Sequence, residues 1–424
     1  MAKLKKFYDL DNAAKIFPAV SNEARTYMFR LSVVFKELID PLILKEALIK
    51  TTKRYSHLNV RIRRGLFWFF FEENIKEPIL LEDNGLVNEF LFFRENNEFL
   101  FRTLYYKERL SVEFYHALTD GKGALEFINS LAYEYLRLKG IKIDHEGLLI
   151  TTDAASSYAE VRDEFKKLYQ KQPIFKEKEP KAEHFTGTLY ANHYTSVLHA
   201  YFKVDEIVSL AKKYDASVTA LFGAISILAH KRSHQFKKFK HPFRLFIPVN
   251  MRQFFPAITL RNFASFIRVN YDLNQDIDDI GEIIKFVKEE MEKELNLDQM
   301  VNRIISNVKI EQSPLLRITP LYIKTLAMKS AYGLLGEALN SFSISNLGKV
   351  NLPKDMIPHI SHYQFIIGAS YETPKNLSIV SFGNTLTVSF ISKIIERDIE
   401  KAFFDIFKEL NIASLIEHNN WEVI

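Results

Sequence analysis

The feature that most restricts the fold of this chain is an alternation of β-rich segments and amphipathic helices in both of its halves. The β-rich run 27–37 precedes Asp40 and Pro41, which mark a helix start because aspartate accepts hydrogen bonds from free amides and proline suits the first turn. In the second half, the alternating run 197–204 precedes Asp205, which we interpret as another helix cap. The pattern predicts strands packed against helices, an α/β (α+β) fold.

Further elements follow the same logic along the chain. We predict strands at 66–72, 96–106 and 109–115, helices from Gly123, from near Thr219 and at 397–410, and a hairpin at Gly383-Asn384. Between about 150 and 196 the sequence turns polar, becomes rich in Lys and Glu, and loses its periodicity. The predicted organisation is therefore a first lobe at 1–150, a crossover linker at 151–196 and a second lobe at 197–424.

Composition excludes several classes of function. The 424 residues include no cysteine, so disulfides, thiolate metal sites and cysteine nucleophiles are ruled out. The net charge of +5 is mild for this length, and the one locally basic segment, 231–240, is interpreted as a solvated helix end or a phosphate contact for a nucleotide-bearing cofactor. We expect a soluble, cytoplasmic protein that does not bind nucleic acid and has no transmembrane segment.

The strongest candidate for chemistry is the string YHALTDGKG at 115–123. It lies where a predicted buried strand ends and a helix begins, so His116 can face a cleft from a rigid backbone. Histidine suits general base catalysis because its ordinary pKa of about 6.5 lets it accept and return a proton near neutral pH. Asp120 either contacts the imidazole or pairs with an arginine that braces the loop, and the glycines permit close backbone approach.

Other chemistries find little support in the sequence. The nucleophile elbow G-x-S-x-G of serine hydrolases is absent, as are P-loop and dinucleotide fingerprints. Lys231 and Arg232 lie between His230 and His234 and would repel a cation, and His359 and His362 lack a third ligand signal. We therefore predict surface or packing histidines and no metal site.

Taken together, the motifs resemble those of the chloramphenicol acetyltransferase-like superfamily, which includes alcohol acetyltransferases, plant BAHD acyltransferases and nonribosomal peptide condensation domains. HALTDG at 116–121 matches the H-x-x-x-D-G signature. Three further segments are similar in the right order: RYSHL at 54–58, PVNMR at 248–252 followed by LRNF at 260–263, and SNLG at 345–348. The resemblance extends over most of the chain, and serine at position 56 departs from the proline that is common there.

The resemblance implies two lobes, each a mixed sheet packed with helices, that enclose a central tunnel. His116 would be the general base, while Asp120, Gly121 and Arg252 would support the motif, with Asp120 and Arg252 forming a salt bridge. Tunnel or oxyanion-site candidates are Asn262, Ser345 and Asn346.

The resemblance also implies an acyltransferase, of the alcohol acetyltransferase or condensation-domain type, that bears no permanent cofactor. It would move an acyl group, acetyl in the first instance, from acyl-CoA (acetyl-CoA) to a small-molecule alcohol or amine. The D-F-G-W-G motif of plant BAHD enzymes is absent, which disfavours that branch. Two alternatives stay open: a condensation-type enzyme that takes its acyl group from an acyl carrier protein, and a non-catalytic binding or scaffold protein of the same fold.

Overall fold

A computed structural model describes residues 7–170, 179–191, 194–234, 237–335 and 337–419. The strands are β1 (Phe7–Asp9), β2 (Met28–Phe35), β3 (Val60–Arg64), β4 (Phe69–Glu73), β5 (Leu80–Glu82), β6 (Phe101–Tyr106), β7 (Arg109–Tyr115), β8 (Ser196–Lys203), β9 (Phe243–Asn250), β10 (Ala264–Tyr271), β11 (Phe342–Lys349), β12 (Ile360–Ile366), β13 (Lys375–Phe382), β14 (Thr385–Ser392) and β15 (Leu415–His418). The helices are α1 (Phe17–Val20), α2 (Pro41–Arg54), α3 (Gly121–Leu138), α4 (Tyr158–Val161), α5 (Glu164–Leu168), α6 (Val204–Lys213), α7 (Val218–Ser233), α8 (Ile280–Glu294), α9 (Leu297–Gln312), α10 (Pro314–Ile318), α11 (Leu321–Leu335) and α12 (Asp398–Glu409).

The largest sheet is built from the second half of the chain, in the order β10-β9-β11-β13-β14-β8-β15. It is mixed, because β11 runs parallel to both β9 and β13 while the other neighbours are antiparallel. The β13–β14 hairpin turns at Gly383, whose φ of +56° is accessible to glycine without strain. Helices α7, α8 and α12 pack together on this sheet around a phenylalanine-rich core.

The first half forms a second mixed sheet in the order β12-β2-β7-β6-β5 and a smaller one in the order β1-β4-β3. Strand β12 belongs to the second half of the sequence, yet it pairs antiparallel with β2, for example Tyr363 opposite Val33. The Tyr363 hydroxyl also donates to Asn129 Oδ1 on α3 at 2.8 Å. The two halves of the chain are therefore tied together by a shared sheet. The α/β class predicted from the sequence, with mixed sheets packed with helices, is confirmed.

Helix starts follow the capping signals in most places. The Asp40 carboxylate accepts from the amides of Leu42 and Ile43 at 2.9 and 3.2 Å, as predicted. The prediction that Asp205 caps a helix was wrong, because α6 already begins at Val204. Asp205 lies instead in the first turn, where its charge favours the positive end of the helix dipole.

Two predicted strands begin later than the sequence pattern indicated. In 66–72, the amide of Gly65 donates to the carbonyl of Trp68 at 2.9 Å, and this tight turn leaves Leu66 exposed, so that β4 begins only at Phe69. In 96–106, the Asn96 side chain donates to the carbonyls of Phe99 and Phe101 and holds a turn ahead of β6. Both turns contain hydrophobic residues, and the sequence pattern therefore predicted strand where the chain turns.

Within the described ranges, no helix combines the length and the apolar character that crossing a lipid bilayer requires.

Candidate active site

His116 follows directly after the last residue of β7, and the surrounding backbone fixes its position. Its amide donates to the carbonyl of Tyr27 at 2.9 Å, and Tyr27 itself adopts a left-handed conformation with φ of +51°. The imidazole stacks on Phe17 with ring centroids 5.0 Å apart and meets Phe29 at 5.2 Å. A strand end and two aromatic rings therefore hold the imidazole at the wall of a cavity.

Asn262 determines which imidazole nitrogen carries the proton. Its amide nitrogen donates to the backbone carbonyl of His116 at 3.0 Å and to Asp11 Oδ2 at 3.3 Å. The amide oxygen is then the group that faces His116 Nδ1, at 3.2 Å. Because that oxygen can only accept, Nδ1 carries the hydrogen and Nε2 keeps its lone pair. This assignment leaves Nε2 as the basic atom.

Burial lowers the pKa of His116 below its ordinary 6.5, and nearby Asp120 opposes this shift only in part. Removing an imidazole from water disfavours its charged form, so the ring is neutral at pH 7. A neutral imidazole with an available lone pair is the state that a general base requires.

Asp120 binds three partners with its two carboxylate oxygens. One oxygen accepts from the amide of Gly123 at 3.0 Å and caps α3. The other accepts from Arg252 Nη1 at 2.7 Å and from the amide of Phe263 at 2.8 Å. Gly123 belongs to the first half of the chain, and Arg252 and Phe263 to the second. The carboxylate therefore joins the two halves.

Arg252 extends this bracing to the loop that carries Asn262. Its guanidinium donates through Nη2 to the carbonyls of Thr259 and Arg261 at 2.9 and 2.8 Å. These contacts close the loop just before Asn262, the residue that faces the imidazole. Asp120 and Arg252 thus reach His116 indirectly, through the loop.

Gly123 is required where the two halves approach most closely. A Cβ atom at this position would lie 2.1 Å from the carbonyl oxygen of Leu260 and 2.2 Å from Thr119 Oγ1. The Thr119 hydroxyl itself donates to the Leu260 carbonyl at 2.6 Å. At Gly121 the nearest obstacle is only the flexible side chain of Leu347, at 2.5 Å. Gly123 is therefore the more constrained of the two motif glycines.

The cavity beside His116 has a volume of about 400 Å³, and its wall surface is largely apolar although many of the lining residues are polar. Ser345 and Asn346 line it, as do Asp120, Gly121 and Arg252. Asn262 does not line the cavity and lies behind the imidazole.

The Asn346 side chain is partly engaged elsewhere in the protein. Its Nδ2 donates to Thr219 Oγ1 at 3.1 Å and its Oδ1 accepts from the amide of Gly348 at 2.8 Å. One Nδ2 hydrogen remains for another acceptor.

Sequence reasoning missed Asp11, which is fully buried beneath the site. One oxygen accepts from the amide of Ala14 at 2.7 Å, and the other faces Asn262 and lies 3.4 Å from Arg261 Nε. Burial raises the pKa of Asp11 to about 6, although Arg261 opposes the shift. The spacing to Ala14 is an ordinary turn signal, and nothing local indicates a contact with a residue 251 positions away.

His230, one of the histidines weighed above as metal ligands, packs in an aromatic cluster. His230 is buried among the rings of Phe185, Phe239 and Phe243. Across the ranges that the structure describes, no three His, Cys, Asp or Glu side chains are grouped so that they could hold a metal ion.

Comparison with solved structures shows that the fold of this chain is shared, over nearly its whole length, with several acyltransferases of low sequence identity. Fusarium graminearum TRI101, complexed with coenzyme A and T-2 mycotoxin, has a TM-score of 0.65 and 11% identity, and the match covers 98% of this chain and 100% of that chain. The wax ester synthase/diacylglycerol acyltransferase from Marinobacter aquaeolei VT8 has a TM-score of 0.55 and 13% identity, with coverages of 95% and 100%.

A third similar structure is the starter condensation domain of rhizomide synthetase, a mutant in complex with C8-CoA and Leu-SNAC. Its TM-score is 0.57 at 13% identity, and the match covers 94% of each chain. No protein-family model matches the chain, and no curated protein matches its sequence. At these identities the comparisons define the fold alone.

Proposed function

We propose that this protein is an acyltransferase that moves an acyl group from a thioester to a hydroxyl or amine, with Nε2 of His116 as the general base. The observation that carries the proposal is the position and protonation of the His116 imidazole. It lines a cavity, its Nδ1 faces an acceptor oxygen of Asn262, and burial lowers its pKa. Nε2 is then free to accept a proton from an acceptor molecule.

In the proposed reaction, the acceptor oxygen loses its proton to Nε2 and forms a bond to the thioester carbonyl carbon. The oxyanion of the tetrahedral intermediate then needs a hydrogen-bond donor, and Ser345 and Asn346 are the candidates on the cavity wall. One such donor typically contributes about 3 to 4 kcal/mol to the transition state. When the carbon–sulfur bond breaks, the thiolate leaves and the imidazolium returns the proton to it. The scheme needs no metal and no covalent intermediate on the protein.

We assign acyl-CoA, in the first instance acetyl-CoA, as the donor and a small-molecule alcohol or amine as the acceptor. The largely apolar cavity walls suit an acyl chain or an apolar acceptor. A similar structure, TRI101, contains coenzyme A together with a small-molecule ligand. The lobes are proposed to be 1–150 and 197–424, with 151–196 as the crossover. A chain without cysteine suits a reducing cytoplasm.

A condensation-type reaction with an acyl carrier protein is the second candidate. The likeness to a starter condensation domain favours keeping it. The two candidates differ in the donor: activity with acyl carrier protein and none with any acyl-CoA would select the second. Binding of acyl-CoA without transfer to any acceptor would select a non-catalytic role.

The test is a thiol-release assay with acetyl-CoA and longer acyl-CoAs across a panel of alcohols and amines, with products identified by mass spectrometry. His116→Ala is expected to lower turnover by about 10² to 10⁴ and to leave the fold intact. His145→Ala, at an exposed histidine in the same half of the chain, is the matched control and should retain full activity. A fully active His116→Ala enzyme would contradict the assignment.

A further inference from the structure

An exposed apolar surface lies on α10, α11 and the turn between β3 and β4. We call it the apolar face and define it by six side chains: Leu66, Leu315, Ile318, Tyr322, Ile323 and Leu326. Each is more than half exposed, and Tyr322 reaches 82%. Single exposed apolar residues are ordinary, but a contiguous group marks a surface that meets another apolar phase.

Two hydrogen bonds join the β3–β4 turn to α11, and α10 precedes α11 directly along the chain. The amide of Leu321, at the start of α11, donates to the carbonyl of Leu66 at 2.9 Å. Lys324 Nζ donates to the carbonyl of Phe67 at 2.9 Å and lies 3.7 Å from the centroid of the Trp68 ring. The turn is therefore fastened to the helix.

The spacing of the exposed residues follows a helical period. On α11 the exposed large side chains are Tyr322, Ile323, Leu326 and Lys329, which share one side of a helix. The buried Leu321 and Lys324 point toward the rest of the protein.

The charges around the apolar face have one sign. Residues 314–335 contain Arg317, Lys324 and Lys329 and no aspartate or glutamate. Arg64 lies two residues before Leu66 and is exposed. Among the ion pairs of the described residues, none includes Arg64, Arg317 or Lys329. Free positive charge thus lies beside exposed apolar side chains.

We propose that the apolar face docks on an anionic lipid bilayer. The apolar side chains would enter the boundary between headgroups and acyl chains, while Arg64, Arg317 and Lys329 would contact lipid phosphates. Helices that present apolar side chains beside Lys or Arg bind membrane interfaces in this way, and their affinity rises with anionic lipid. A second copy of the chain fits less well, because a symmetric pairing through this face would bring like charges together.

The face is connected to the candidate active site through two short paths. Tyr332, further along α11, lines the cavity and meets the ring of Tyr27 edge-on at 6.0 Å. Helix α1 packs against α11 and carries Phe17, which stacks on His116. If the proposed function holds, docking brings the acyl-transfer site close to a reservoir of apolar acceptors.

The experiment is flotation of the full chain with vesicles of phosphatidylcholine alone or mixed with phosphatidylglycerol. We expect at least about tenfold stronger partitioning to the anionic vesicles, and its loss at high salt. The combined variant Ile318→Ser, Tyr322→Ser, Leu326→Ser should lower partitioning at least about tenfold. Its matched control is Leu42→Ser on α2, at a leucine that is 80% exposed, which should bind like wild type.

A pair of charge-reversal variants tests how much of the vesicle binding is electrostatic. Arg317→Glu with Lys329→Glu should abolish the preference for anionic vesicles, whereas Lys212→Glu with Lys213→Glu, at exposed positions of α6, should keep it. All these positions are exposed, so the variants are expected to fold, and circular dichroism verifies this.

Absence of vesicle binding, or equal weakening by the Leu42 control, would overturn the proposal. If the protein bound no vesicles but formed a dimer in analytical ultracentrifugation, and the triple variant dissociated that dimer, the occupant of the apolar face would be a second copy of the chain and not lipid. Flotation measures binding and requires no turnover. A protein that floats with vesicles but transfers no acyl group would therefore contradict the proposed function and leave the docking inference intact.

Discussion

Removing the Asp120 carboxylate should destabilise the whole protein, because this group joins the two halves of the chain. In Asp120→Ala, Arg252 Nη1, the amide of Phe263 and the amide of Gly123 all lose their acceptor. The aspartate and arginine side chains are only 5% and 11% exposed, so water cannot fully replace the carboxylate. Breaking a buried ion pair from one side typically costs about 3 to 5 kcal/mol.

The free energy of unfolding follows from urea titrations monitored by circular dichroism and tryptophan fluorescence. A loss of about 3 to 5 kcal/mol is a large part of a typical stability of about 5 to 15 kcal/mol, so the variant should fold with a clearly lower urea midpoint. Asp120→Asn keeps an oxygen for the helix cap and loses the charge, so an intermediate loss is expected.

Glu206→Ala is the matched control for this experiment. It removes the exposed pair of Lys203 and Glu206, which are 68% and 34% exposed, and should leave the urea midpoint unchanged. In a double-mutant cycle, Arg252→Met should add little to Asp120→Ala. If Asp120→Ala kept the wild-type midpoint while losing activity, the aspartate would act in the chemistry and the structural role would be refuted.

Three further predictions follow from the site and the core. The kcat/KM of the transfer should fall on acidification with a midpoint below pH 6.5, because protonation removes the lone pair of His116 and burial lowers its pKa; a midpoint above 6.5 would contradict this. Burial lowers the pKa of His230 to about 3, so between pH 6.5 and 3 the unfolded chain binds a proton that the folded chain does not. The contribution of the neutral His230 side chain to stability is therefore present above pH 6.5 and falls by about 1.4 kcal/mol per pH unit below it. In His230→Leu, the urea midpoint should change less between pH 7 and pH 5 than it does in the wild-type protein. Gly123→Ala should lower the melting temperature strongly, since its Cβ would meet the backbone oxygen of Leu260 at 2.1 Å, and an unchanged melting temperature would show that the two loops can separate.

The sequence predicted those parts of the fold that depend on local signals. The strand Arg109–Tyr115 was predicted with its observed ends, because it alternates and is followed by a helix cap. The strand predicted at 66–72 failed in its first three residues, where a turn exposes apolar side chains that local pattern reading assigns to a core. Hydrophobicity alone does not tell which surface is covered by solvent.

The candidate site likewise contains residues that local sequence signals indicate and residues that only the tertiary structure brings together. His116 and Asp120 were found because both belong to one short motif with a chemical rationale. Asn262 contacts the imidazole although it lies 146 positions away along the sequence, and Asp11 accepts from Asn262 across 251 positions. Only tertiary packing brings such residues together, and for Asp11 no local sequence signal indicates the contact. Asn262 was predicted on the tunnel wall and lies instead behind the ring.

The pairing of β12 with β2 has a consequence for synthesis of the chain. During translation, 28–35 leaves the ribosome more than 300 residues before 360–366, its antiparallel neighbour. Until then the nascent first sheet exposes an open hydrogen-bonding edge, which can pair with other chains. Folding of the first half is therefore completed only after 360–366 has been synthesised, and a fragment that stops before 360 is expected to aggregate.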